Sequence, residues 1–180
     1  NCSDNELTTI DVSMNSELTA LSCSENPLTG IDVRKNKKLS NLYCYRSGLT
    51  TLNIIANTNL TKLECRANHF TTLDISENSK LKSQYTLYNK QYVYVDMPDA
   101  ESFDMHLLIP EESLSKVRVD SKVGEYDPKT GLIVFSYGQK YYDYFSYYYD
   151  MGGKNEEMEV VVCTKHYYSY VSKWSDIPAN

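Results

Sequence analysis

Residues 18–28, LTALSCSENPL, decide the fold because their pattern returns with a constant period through the first half of the chain, as Leu18, Leu39, Leu60 and Leu81 show. Two Leu positions, one Cys position and one Asn position of this stretch recur together. A fixed period in the range of roughly 20 to 29 residues indicates a solenoid of stacked coils. The Cys position holds Cys2, Cys23, Cys44 and Cys65, and the Asn position holds Asn5, Asn26, Ser47, Asn68 and Asn89.

Within each repeat the residue order predicts one short strand and one polar turn. Leu21 and Cys23 alternate with Ser22 and Ser24, which is typical of a strand with one buried face. Asn26 follows where the chain turns, and a buried Asn there is expected to bond the backbone groups that the turn leaves free. A single coil cannot bury its own apolar face, so four or five coils must stack.

The cysteine column predicts buried thiols. Free cysteine behaves as a small apolar residue, and the column occupies an inward position of the repeat. Neighbouring rungs about 4.8 Å apart would also permit a disulfide by distance, so both states remain open, with free thiols favoured. There is no Cys-x-x-Cys pair and the three histidines are dispersed, so we expect no metal site and no cofactor.

The repeat resembles the leucine-rich repeat family, whose pattern is Leu-x-x-Leu-x-Leu-x-x-Asn-x-Leu, with Cys here in the third Leu place. Its second half, LDISEN at 73–78, is similar to the 21-residue class found in bacterial surface proteins of the Bacteroidetes type. Gln84 and Thr86 replace the second Leu and the Cys in the last repeat. We therefore expect residues 82–95 to form a capping coil that ends the solenoid.

The resemblance implies recognition through the concave face, where the outward columns lie. We expect these columns to be Ser22, Tyr43, Glu64, Tyr85; Ser24, Tyr45, Arg66, Leu87; and Glu25, Arg46, Ala67, Tyr88. Tyr and Arg dominate binding hot spots, although Tyr is also a good strand residue and can simply stack on Arg of the next rung. The predicted ligand-binding residues are Tyr43, Tyr45, Arg46, Glu64, Arg66, Tyr85 and Tyr88.

Residues 98–180 lose the period and predict a second domain after a solenoid at 1–97. Short β-like runs separated by turn residues, about 10 residues apart, indicate a small antiparallel β-sandwich. The turns include 127–131, DPKTG. The runs are 103–109, 116–119, 132–137, 141–149, 157–164 and 167–171. Residues 147–162 form a predicted hairpin similar to the last hairpin of bacterial immunoglobulin-like modules.

Eleven of the 17 tyrosines fall in this half, and their spacing predicts aromatic residues on both faces of one strand. Tyr142, Tyr144 and Ser146 would share one face, and the other would carry Tyr141, Asp143, Phe145 and Tyr147. Exposed rings could stack on sugars, so a carbohydrate-binding module is an alternative function. The simpler alternative is that these tyrosines face solvent or the core without a ligand.

Composition excludes several partners and reactions. The net charge is −6, and residues 96–180 carry 15 acidic against 8 basic side chains, which argues against nucleic acid. No apolar run approaches the roughly 18 residues of a membrane span. Cys163, His166 and Asp176 are the one local Cys/His/acid group, and no helix start accompanies them to activate the thiol. We expect no enzymatic activity.

Together these patterns predict a mainly β protein at the bacterial surface or outside the cell. It would bind a protein or glycan ligand, including one from a host, as adhesion proteins of the internalin kind do; this is a fold-level analogy. The chain starts in mid-repeat at Asn1, so a processed product is expected. A structural spacer of a longer surface protein is a further alternative.

Overall fold

The structure is a computed structural model that describes residues 1–81, 86–87, 90–95, 102–136, 144–152 and 157–164. These residues are mainly β, with two short 3-10 helices at Met105–Leu107 and Glu111–Lys116. The strands in chain order are β1 (Ala20–Ser22), β2 (Asn41–Tyr43), β3 (Lys62–Glu64), β4 (Thr86–Leu87), β5 (Gln91–Val95), β6 (Ser102–Asp104), β7 (Val117–Val119), β8 (Gly124–Asp127), β9 (Leu132–Phe135), β10 (Tyr144–Asp150) and β11 (Glu157–Thr164).

The repeats form a parallel sheet in the order β1-β2-β3-β4. Leu21 pairs with Leu42, and Leu42 pairs with Leu63, so the first three strands are in register one period apart, as predicted. The middle residue of each strand is buried and its flanking residues are more exposed, as alternation along a strand requires. We call each strand with its connecting residues a rung.

Inward columns fill the interior of the repeat region. Cys23, Cys44 and Cys65 are fully buried free thiols, which confirms the prediction for this column. Cys2, in the first rung, is half-buried. The other buried apolar residues of these rungs include Leu28, Val33, Leu39, Leu49, Ile54, Leu60, Phe70 and Leu73.

Buried amide side chains bind the backbone of neighbouring rungs along two columns. Asn68 donates to the carbonyls of Cys44 and Cys65 at 2.8 and 2.9 Å, and its side-chain oxygen accepts the N–H groups of Ser47 and Leu49. On the opposite side Asn57 donates to the carbonyls of Val33 and Asn36. These bonds replace the water that buried peptide groups would otherwise need, so the predicted role of the buried Asn in this turn is confirmed.

The last rung is shifted by two residues, which corrects the predicted columns. Leu63 pairs with Thr86, two positions beyond the one that the period predicts, and Glu64 pairs with Leu87. Gln91 supplies the amide bonds at the position predicted for Asn89, accepting from the Asn68 N–H and donating to the Cys65 carbonyl. Leu81 still follows Leu60 by one full period and makes the same turn bond. The two extra residues therefore lie between Leu81 and Thr86.

The residues after β4, which we call the second region, contain a mixed sheet in the order β5-β11-β10-β7. The predicted hairpin is present, with Phe145 opposite Val162 and Asp150 opposite Glu157. β5, which was predicted as part of the capping coil at 82–95, pairs with β11 in parallel and so joins this sheet. The described strand pairs within residues 98–180 are antiparallel. The inward residues Met158, Val160 and Val162 are fully buried.

The other sheet has the antiparallel order β6-β9-β8. The strand predicted at 103–109 ends at Asp104, whose carboxylate accepts the His106 N–H at 3.0 Å and starts a 3-10 helix. β8 corresponds to none of the predicted strands. Phe145 of the mixed sheet contacts the rings of Phe103 and Phe135 at 5.2 and 5.5 Å between centroids, so these aromatic rings lie between the two sheets.

The second region packs against the connecting residues that follow β3. The Tyr147 hydroxyl donates to the Thr71 carbonyl at 3.0 Å, and the Ile75 N–H donates to the Met151 carbonyl at 2.9 Å. Gly152 adopts a φ of +82°, and a Cβ there would lie 3.2 Å from that of Ser76. The domain boundary between residues 97 and 98 stays a prediction. Strand β5 lies before this boundary and pairs with β11 after it.

Candidate functional site

The outward residues of β1 to β3 and of the second and third positions after each strand form one surface, which we call the outward face. In strand register Ser22, Tyr43 and Glu64 lie side by side. The alternation that buries Leu21, Leu42 and Leu63 turns these residues out. The face consists of Ser22, Ser24, Glu25, Tyr43, Tyr45, Arg46, Glu64 and Arg66.

Tyr45 is held from both sides along the stack. Its hydroxyl donates to the Glu25 carboxylate at 2.7 Å, one rung before it. The guanidinium of Arg66, one rung after it, lies 5.5 Å from the Tyr45 ring centroid, within range of a cation–π contact. Arg66 also approaches Glu64 at 3.5 Å. The result is a continuous series of contacts across three rungs.

The Glu25 carboxylate raises the pKa of Tyr45, because the hydrogen bond favours the protonated phenol, and partial burial and the charge of Glu64 act in the same direction. Tyr45 therefore remains a neutral donor at physiological pH. The side chain is half-buried and its partners fix the ring, so little rotamer freedom remains to be lost when a ligand binds.

The backbone at the end of each strand repeats one unusual conformation. Glu25, Arg46 and Ala67 have φ values of 56°, 50° and 54°, in the left-handed region that non-glycine residues rarely adopt. Asp4 and Lys90 continue the column at both ends, at 58° each. Glu25 and Arg46 are exposed. On the first three rungs this turn carries an exposed charged residue at the same position, namely Asp4, Glu25 and Arg46.

Five predicted site residues share this face: Tyr43, Tyr45, Arg46, Glu64 and Arg66. Tyr85 and Tyr88 lie outside the described residues. Leu87 was predicted to follow Arg66 but pairs with Glu64 because of the two-residue shift. The predicted set omitted Glu25, although Glu25 precedes Arg46 by one period and binds Tyr45. Its place in the repeat was the available signal.

The tyrosines of β10 are divided between core and surface. Tyr147 and Tyr149 are buried at 0% and 3% exposure, so neither can form an exposed sugar platform. Tyr148 is half-buried on the other face, 4.2 Å from the guanidinium of Arg118, which also makes two bonds to Glu157. Tyr142 and Tyr141 lie outside the described residues.

The structure describes only part of the local Cys/His/acid group of the sequence. Burial raises the pKa of Cys163 to about 11, so its thiol stays protonated near neutral pH. His166 and Asp176, its predicted neighbours, lie outside the described ranges. Within those ranges no group of three His, Cys, Asp or Glu side chains could hold a metal ion. The loop 127–131 is a turn closed by the Asp127 side chain, as predicted.

Among the described residues, no helix has the length and apolarity that crossing a bilayer requires. No protein-family model matches the chain, and no curated protein sequence matches it. Among solved structures it is similar to one described as "Functional domain of InlJ from Listeria monocytogenes includes a cysteine ladder". The identity is 21%, the TM-score is 0.35, and the alignment covers 92% of this chain and 52% of that chain. The chain thus spans about half the length of that protein.

Proposed function

We propose that this chain is a leucine-rich repeat recognition protein that acts at the bacterial surface or outside the cell. Residues 1–97 would be a solenoid and residues 98–180 a small β-sandwich of immunoglobulin-like type that supports it. The protein would bind a protein or glycan ligand, without chemistry, through the outward face. The location outside the cell is part of the proposal and rests on the resemblance of the repeat to surface proteins.

The series Glu25–Tyr45–Arg66–Glu64 carries this proposal. Binding costs side-chain entropy, and side chains already held in place lose less of it. Here an aromatic ring and a guanidinium, the two groups that most often anchor interfaces, are fixed before any ligand arrives. The face also lies on strands, which hold side chains more rigidly than loops do.

The neighbouring residues provide further anchors on the same face. Tyr43 is half-buried directly beside Glu64, and Arg46 is exposed at the end of the rung. Beneath them the rungs are joined by buried Asn26 and Asn68 and by the thiol column. A rigid interior under a surface of Tyr and Arg suits recognition better than turnover.

The experiment compares the purified chain with two truncating variants, Tyr45→Ala and Arg66→Ala, on one panel of immobilised extracellular-matrix proteins, defined glycans and the chain itself. We expect each variant to bind the probes that the wild type binds about tenfold or more weakly, which is the effect of removing a hot-spot residue. Tyr45→Phe keeps the ring but loses the bond to Glu25, and we expect a smaller loss.

Tyr148→Ala is the matched control, because it removes a half-buried tyrosine from the second region. Binding that is lost in Tyr148→Ala and retained in Tyr45→Ala would transfer the function to the alternative carbohydrate-binding surface. Binding unchanged in both variants, or no binding to any member of the panel, would count against recognition by the outward face.

A further inference from the structure

The rungs that carry β1 and β2 differ in side-chain size in a complementary way. On the outward face the β1 rung has Ser22 and Ser24, whereas the β2 rung has Tyr43 and Tyr45 at the same two positions. Ser24 is only 1% exposed, and the Tyr45 side chain reaches Glu25 in the same rung as Ser24. Ser22 and Tyr43 are both half-buried, so the face has a small residue next to a large one at this position.

The same two rungs also carry opposite charges. At the left-handed position the β1 rung has Glu25 and the β2 rung has Arg46, both exposed. The whole column is charge-ordered along the stack, with Asp4 and Glu25 at one end, and Arg46, Ala67 and Lys90 toward the other. One end of this column is acidic and the other is basic.

A face with this order is complementary to itself when turned end for end. A two-fold axis that runs between β1 and β2, parallel to both strands, reverses the order of the rungs and keeps each column aligned with itself. It brings Tyr43 opposite Ser22, large against small. It brings Arg46 opposite Glu25, positive against negative. Because the interface is isologous, each of these contacts occurs twice.

We propose that the partner recognised by the outward face is a second copy of this chain, so that recognition is homophilic. The inference rests on the proposed function and names its ligand. The next rung out agrees with it, since the axis places Arg66 opposite the rung of Ser3 and Asp4, whose backbone pairs with Ser22 and Ser24. Arg66 thereby gains an acidic neighbour in the second copy.

The association is weak and salt-dependent. Four rungs at about 4.8 Å span only about 14 Å, which is small beside a standard interface and belongs with transient encounters. Exposed ion pairs are screened by salt. Weak pairs of this kind act when many copies meet on two surfaces, where multivalency raises the overall binding strength.

Sedimentation equilibrium of the full chain tests the proposal at concentrations up to about 1 mM, suited to weak affinity, and at about 0.01 M and 1 M salt, where the Debye length falls from roughly 30 to 3 Å. We expect the wild type to dimerise at low salt and to lose at least about tenfold in affinity at high salt. Glu25→Arg and Arg46→Glu should each be monomeric, because like charges then face each other.

The decisive sample is the mixture of these two variants. The E25R chain carries two positive side chains at these positions and the R46E chain two negative ones, so every facing pair in the mixed dimer is attractive. A one-to-one dimer should therefore form from two monomeric proteins. The double variant E25R/R46E should dimerise by itself. Glu125→Arg and Lys37→Glu reverse exposed charges elsewhere and should associate like the wild type.

Three outcomes would overturn the proposal: a wild type that is monomeric at every concentration, single variants that dimerise like the wild type, or a mixture that does not associate. Circular dichroism checks folding, and Glu25→Gln with Arg46→Gln replaces a variant that does not fold, with an expected several-fold loss. If self-association is absent while Tyr45→Ala still removes binding to the panel, recognition stands and only its homophilic form is wrong.

Discussion

The repeat region and the second region bury different kinds of groups. In the described residues every buried polar side chain other than tyrosine lies between residues 24 and 91, and most are the amides that bind neighbouring rungs. The second region instead packs Phe103, Phe135 and Phe145 between two sheets. The first region depends on hydrogen bonds between neighbours, and the second on apolar contacts between strands far apart in the chain.

The two regions should therefore lose stability in different ways. A rung bonds only to the rungs beside it, so removing one amide exposes a localised set of unpaired backbone groups. In the second region β5 pairs with β11, near the other end of the described chain, so a local clash disturbs partners that are distant in sequence. Four experiments separate these two modes of stabilisation, from the largest expected effect to the smallest.

Native-state thiol labelling at pH 8 should give the largest contrast. Burial raises the pKa of Cys23 to about 12 and that of Cys44 well above its usual value, so both thiols stay protonated and inaccessible. We expect Cys2 to react at least about a thousandfold faster than Cys44, because Cys44 can react only after the repeat region opens locally. Cys163 should lie between them, since its pKa is raised only to about 11.

Mass spectrometry of the labelled peptides measures these rates, and denaturant, which should make all five cysteines react alike, provides the control. Equal rates for Cys2 and Cys44 in the native protein would contradict a closed interior in the repeat region.

Asn68→Leu should lower the free energy of unfolding by about 4 kcal/mol or more. The change leaves the Cys44 carbonyl and the Ser47 and Leu49 N–H groups without a partner in the interior, at about 1–3 kcal/mol for each buried group. The Cys65 carbonyl keeps its bond from Gln91. Denaturant titration followed by circular dichroism measures it. Asn59→Ala removes two bonds of an exposed amide, one to the Lys37 carbonyl and one from Lys80, and should change stability by less than about 1 kcal/mol. A similar loss of stability in both variants would show that the buried bonds of Asn68 contribute no more than those of an exposed amide.

Gly124→Ala should cost about 3 kcal/mol, because a Cβ would lie 2.3 Å from the Val134 carbonyl oxygen and neither strand can move without breaking the sheet β6-β9-β8. Thermal unfolding measures the loss. Gly30→Ala is the matched control: nothing lies within 4 Å of a Cβ there, so we expect no loss. A Gly124→Ala protein as stable as Gly30→Ala would mean that the second region tolerates overpacking.

Tyr147→Phe should have the smallest effect, about 1–2 kcal/mol. It removes the hydroxyl that satisfies the Thr71 carbonyl across the contact between the two regions and leaves that carbonyl unpaired. We expect the single unfolding transition of the wild type to broaden or separate into two. Tyr148→Phe, on the opposite face of β10, should leave the transition unchanged. A variant that unfolds like the wild type would show that other contacts couple the regions.

Most of the repeat region could be predicted because its information is local and repeated. The columns of Leu, Cys and Asn predicted which residues are buried, and Cys23, Asn26 and Leu42 behave accordingly. The prediction failed where the period itself changed, at the two residues inserted before Thr86. The shift is visible only in the pairing of Glu64 with Leu87. The sequence does not indicate that Gln91 takes the place of Asn in this turn.

Less of the second region could be predicted, since period-2 alternation identifies a strand and not its partner. The hairpin of β10 and β11 was predictable because its strands are adjacent in sequence. The parallel pairing of β5 with β11 depends on contacts across the whole region, and the strand at 103–109 was shortened by the cap that Asp104 forms.

The sequence alone determined the repeat and its buried columns, because a constant period assigns every position a direction. It also determined the outward residues Tyr43, Tyr45, Arg46, Glu64 and Arg66. The tertiary structure alone decided two properties of the face: the Tyr45 hydroxyl donates to Glu25, and the Arg66 guanidinium lies beside the Tyr45 ring. Those properties depend on distances between rungs, and stacking sets these distances only once the chain is folded.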